Sequence, residues 1–168
     1  MPRLLHYHMR QLALHAEWAN QQVYENCARL DVDAYEKEKT RPSGGVHGLL
    51  NHLLVIKKTW HSHLMGYDSG IISPDKDLYD DFELLQNALI AEDVIMVDLV
   101  HGYSEEQMQY PITYTDQKGM PHTNNIKEIL TELFLQQAQI RGAIVFALTD
   151  YFTIDDLGYI QFARSQNL

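Results

Sequence analysis

The sequence predicts an all-α fold, and three observations carry that reading. Four stretches repeat apolar residues at steps of three and four, the spacing that gathers side chains on one face of a helix. Glycine, proline and asparagine stand between those stretches, where the chain has to turn. The 168 residues, 45% of them hydrophobic, suffice for one sizeable core, so a single domain over residues 1–168 is expected.

The first stripe runs Leu5, Met9, Leu12, Ala16, Ala19, Val23, Cys27 and Leu30 and marks one long helix. Cys27 lies on that stripe with no charged helper beside it, so it reads as a small buried hydrophobe. RPSGG at 41–45 breaks the pattern, and a second helix follows through VHGLLNHLLVIKKTWHSHLMG to a stop at Gly66. Its apolar face reads Leu49, Leu53, Ile56, Trp60 and His63, with His52 on the same side and Lys57 and Lys58 pointing away. After a loop holding Gly70 and Pro74, Asp80 with Glu83 suits the start of a third helix. Its stripe is Phe82, Leu85, Leu89, Glu92, Met96, Leu99 and Tyr103, with Glu92 expected at the edge, reaching solvent.

Residues 110–125 suit a short β-hairpin that turns at Gly119, with Pro111 and Pro121 confining both strands to edges. Asn125, with Glu128 three residues on, can cap a fourth helix whose stripe is Ile126, Leu130, Leu133, Gln137, Ile140, Ile144 and Leu148, with Gln136 on its border. A short last helix is expected within FTIDDLGYIQFA. Four long amphipathic segments bury their stripes most simply as a four-helix bundle.

Charge and composition narrow the function. A formal net charge of -10 and a pI near 5.2, with scattered basic residues, argue against holding nucleic acid through its phosphates. One cysteine allows no intrachain disulfide, and MPRLLHYHMR lacks a signal-peptide core, so a soluble cytoplasmic protein with no membrane partner is expected.

Nine histidines raise the question of a metal, but ligands must converge. His61 and His63 diverge by about 200° on a helix, as do His6 and His8. His101 and His122 fall near segment ends, and His47 opens the second helix nearly half a turn from His52 in angle. His52 alone faces inward from a helix middle. GGVHG at 44–48 could hold an anion at a helix start, yet it lacks the Gly-Lys-Ser/Thr ending of a phosphate loop. No dinucleotide signature and no G-x-S-x-G is present.

The segments HAEWANQQVYENCARLD, GGVHGLLNHLLVIKKTWHSHLMG, ILTELFLQQAQIRGAIVFALT and DDLGYIQFAR, in that order, resemble the DinB/YfiT-like family from near the first residue to the last. The resemblance implies an up-and-down four-helix bundle, a homodimer and a divalent metal held by three histidines. The match of Asn51-His52-Leu53-Leu54 puts His52 at the first ligand position, and Arg141-Gly142 puts Gln136 and Ile140 where the paired histidines stand in relatives. Gln139 replaces an adjacent histidine, and Glu132 falls where another is frequent. A carboxamide oxygen is a weak ligand and isoleucine offers no lone pair, so the site reads as degenerate, with Gln136 hydrogen-bonding His52. The expected protein binds a small molecule or a partner, without catalysis and without a cofactor. The competing expectation is a hydrolase or thiol-dependent transferase in which His52, Gln136, Glu132 and Glu92 weakly hold manganese, nickel or zinc.

Overall fold

The computed structural model describes residues 4–71, 73 and 75–167; Pro74 and the first three residues, both used in the sequence reading, lie outside the described residues. The chain is mostly helical. Four long helices, α1 (Leu4–Cys27), α3 (Gly45–Met65), α4 (Phe82–Gly102) and α5 (Ile126–Leu148), are accompanied by the short α2 (Val32–Lys39) and α6 (Tyr159–Ser165). Strands β1 (Pro111–Thr115) and β2 (Pro121–Asn125) form an antiparallel hairpin in which Thr113 faces Thr123. Its turn passes through Gly119 at φ 78°, a backbone region that favours glycine.

Helix ends follow their caps. Gly66 closes α3 at φ 72°, and Glu128 accepts the Asn125 backbone N–H at 3.0 Å to open α5. The cap of α4 is Asp81, whose carboxylate accepts the Leu84 N–H at 2.9 Å, and not the expected Asp80, which pairs with Lys39. Helix α2 buries only Tyr35 and Glu38, too few apolar positions to mark a stripe. Asp31 starts it by accepting the Ala34 N–H at 2.8 Å.

Contacts pair α3 with α5, α1 with α4 and α5, and α3 with α4. Arg10 near the start of α1 donates to His101 O at the end of α4, so those two run antiparallel. Lys39 beside the start of α3 meets Asp80 beside the start of α4, and Arg41 meets Asp150 just past the end of α5. The order is therefore up, down, down, up, which corrects the strict alternation expected for an up-and-down bundle. The parallel α3–α4 step is possible because residues 66–81 are long enough to lead the chain back along the molecule.

Two apolar clusters fill the interior. Val23, Cys27, Leu50, Leu53, Leu85, Leu89, Ile140 and Ile144 belong to one, and Met9, Ala16, Leu64, Met96, Leu130 and Leu133 to the other. Between them lies a buried polar layer. Lys57 on α3 reaches Asp93 on α4 at 2.5 Å and the Tyr24 hydroxyl on α1 at 2.7 Å. Tyr24 donates to Asp93 Oδ2, Asn20 donates to both Asp93 and Gln137 at 2.8 Å, and Arg141 donates to Asn20 at 2.9 Å.

This layer corrects the reading of α3. Lys57 is fully buried, not turned away, and the buried face is Val46, Leu50, Leu53, Leu54, Lys57 and Leu64. Taking Lys57 as exposed rotated the assigned stripe, so Leu49, Ile56, Trp60 and His63 fall on a half-buried flank.

Candidate functional site

The half-buried flank of α3 borders a cleft of about 980 Å³, closed by the α3–α4 connection, the hairpin and Gln136 of α5. Trp60 comes from α3 and Tyr114 from β1, with ring centroids 5.4 Å apart, and His63 lies 4.7 Å from Tyr114. The Trp60 indole N–H donates to Gln136 Oε1 at 2.8 Å, and Tyr114 donates to Asn124 Oδ1 at 3.0 Å. Their polar atoms are thus satisfied within the protein. What they present to the cleft is ring surface. Burial lowers the His63 pKa from the ordinary imidazole value, so this ring is neutral near pH 7.

Asn51, beside His52 in the NHLL segment, ties the later part of the α3–α4 connection to α3. Its Oδ1 accepts the Leu78 and Tyr79 N–H groups at 2.8 and 3.1 Å, and its Nδ2 donates to Tyr79 O at 3.0 Å. Sequence reasoning missed this role, because a helical asparagine gives no sign of which loop returns to it. The hairpin was foreseen, yet its packing beside α3 was not. Tyr114 has no periodic signal that could have revealed it as a cleft wall.

The five residues singled out by sequence do not assemble as one set. His52 and Gln136 open on the same cleft, while Ile140 is buried in the apolar cluster with Leu50 and Leu53. Gln136 accepts from Trp60 and donates to Glu132 at 2.6 Å, and no described residue hydrogen-bonds His52. A direct His52–Gln136 bond is not made, because Gln136 Oε1 takes the indole N–H of Trp60, about two turns further along α3, and its Nε2 goes to Glu132. Glu132 is exposed. Glu92 is not at a wet edge but buried, 2.7 Å from His61 Nδ1 and 3.6 Å from Lys58, and it does not line the cleft.

His52 is also not the most inward histidine. His47 is buried, with its Nδ1 2.6 Å from the Tyr35 hydroxyl and Nε2 3.2 Å from Asn51. Gly45 makes room for Glu38, whose Oε2 accepts the Val46 N–H at 3.4 Å. Gly45 lies so close to Glu38 that a Cβ there would meet its carbonyl oxygen at 2.3 Å, and the buried Glu38 carboxylate accepts from Tyr151 at 2.7 Å and pairs with Arg41 at 3.0 Å. The GGVHG turn therefore receives the chain's own carboxylate.

A transition-metal centre of the implied type needs about three protein donors. The corresponding positions supply one imidazole, one amide already in two hydrogen bonds, and one hydrocarbon. Among the described residues no group of three His, Cys, Asp or Glu side chains is arranged to hold an ion. The residues present do not fit the group. Cys27 is inert by position, since burial pushes its thiol up to about 12. No described helix is long and apolar enough to cross a membrane.

Comparison with curated proteins and with solved structures returns no match. The family model for the DinB family matches residues 1–147, which span the four long helices to within the last residue of α5 and leave α6 outside. With that match over most of its length, the chain belongs to the DinB family.

Proposed function

We propose that this chain is a small-molecule-binding DinB-family protein that works without a metal centre, as one four-helix bundle with the cleft beside His52 as its ligand site. The single observation that carries the reading is the cleft itself. Its volume of about 980 Å³ lies at the upper end of the range typical of small-molecule sites, roughly 300–1,000 Å³, and its walls join aromatic rings to a few polar groups. His52 supports the reading further, because its imidazole is half-buried on the cleft and has no hydrogen-bond partner among the described residues. Such a group can offer a donor and an acceptor to a guest. The hydrolase or transferase alternative, which draws on Glu132 and Glu92 beside His52 and Gln136, has weaker support, since Glu92 pairs with His61 away from the cleft and the Gln136 amide is already bonded to Trp60 and Glu132.

The test fills the cleft. Thr59 lines it from α3, and Thr59→Trp would place an indole in that space. Ligand-detected NMR with a set of small aromatic fragments should find binders for the native protein and lose them in the variant, with the helical circular dichroism unchanged. Fragments that bind both proteins equally would remove the cleft from consideration.

A further inference from the structure

We propose that the cleft selects a small organic cation, an ammonium with an apolar or aromatic body, over neutral and anionic molecules of the same size. This inference rests on the ligand-site reading above and specifies its chemistry. Two independent features of the walls point the same way. The first is the ring surface. Trp60, Tyr114 and Tyr67 line the cleft, and the indole and the Tyr114 phenol are held by hydrogen bonds to Gln136 and Asn124. Aromatic faces carry negative potential and attract cations, and rings already fixed in place lose little entropy on binding.

The second feature is the charge of the rim. Asp68, Asp75 and Asp116 border the cleft against one ammonium, Lys118. Asp116 is ionised: His122, at 2.8 Å, and the backbone N–H groups of Met120 and Lys118 hold its carboxyl below the ordinary carboxylate range. Asp68 accepts the Gly70 N–H through Oδ1 at 2.9 Å, which leaves its second oxygen for a guest. The imidazole of His63 is neutral through burial and adds no competing charge. A carboxylate or phosphate entering this space would meet like charges on the rim.

The inference is tested with three probes of similar size: benzyltrimethylammonium, benzyl alcohol and benzoate. Binding is read by fluorescence in a Trp18→Phe background, so that Trp60 reports alone, and by isothermal titration of the native chain. The cation is expected to bind about tenfold more tightly than the alcohol, benzoate weakest, with the preference shrinking as salt rises. Asp68→Asn together with Asp75→Asn should lower the cation preference severalfold. The amide oxygen at position 68 can still accept the Gly70 N–H, so the turn is preserved. Equal or tighter binding of benzoate, or a preference untouched by the double change, would overturn the inference. If the cleft takes benzyl alcohol but not the cation, the charge selection is wrong and the ligand site stands. If it takes none of the three, both readings fail.

Discussion

Lys57 brings a full positive charge to the middle of the molecule, and the groups around it explain why that is tolerated. Burial lowers its pKa, which states the cost of removing an ammonium from water, while the Asp93 carboxylate and the Tyr24 hydroxyl oppose that cost. Removing one partner leaves the other charge stranded. Lys57→Met should therefore destabilise the protein by about 3–5 kcal/mol, and Lys57→Met with Asp93→Asn, which removes the stranded charge but keeps an acceptor for Tyr24 or Asn20, should recover part of that loss. Urea unfolding of the three proteins measures this; a single change costing under about 1 kcal/mol would contradict the account. His47 predicts a pH dependence. Burial lowers its pKa, against the pull of Asp77, and burial does the same to His15. Below the ordinary value near 6.5 the unfolded chain takes up protons that the folded chain resists, so stability should fall as pH drops through the window from 6.5 toward the lowered folded values. Unfolding titrations at pH 7 and 5.5 should show the loss, and His47→Gln should flatten it.

At the scale of the elements, adjacent acids at the start of α4 have different tasks. Asp81 satisfies an amide that the helix leaves free, whereas Asp80 forms an exposed pair with Lys39. Asp81→Ala should cost about 1 kcal/mol and Asp80→Ala less than about 0.5, measured by chemical denaturation. Equal losses would return the cap to Asp80. The same physics explains what could be read in advance. The α5 stripe, from Ile126 through Gln137 and Ile140 to Leu148, is buried as its spacing implied, because every position on it is apolar or an amide. The hairpin was legible from Pro111, Gly119 and Pro121, which permit few alternatives. The face of α3 was misplaced because its central residue is a lysine, and periodicity treats lysine as solvent-facing. Helix α2 escaped notice since Tyr35 and the charged Glu38 are its buried anchors, which leaves too few apolar positions to mark a stripe.

For the whole molecule, helix direction was the least legible property. A stripe has a face but no polarity, and only contacts such as Arg10 with His101 fix α1 against α4. The site was legible in part. Register placed His52 and Gln136 on one cavity, but the ring walls from Trp60 and Tyr114 belong to segments that meet only in the fold. The three positions where the resemblance implies metal ligands hold an imidazole, a committed amide and a hydrocarbon, and the first two of them open on the cleft. That combination motivates the central proposal, a protein that binds its ligand in this cleft without a metal ion. Its most direct measurement is the transition-metal content of the untagged protein by elemental mass spectrometry, for the native chain and for His52→Ala. The account predicts far less than one equivalent of manganese, nickel or zinc in both; one equivalent in the native chain, lost in His52→Ala, would contradict it.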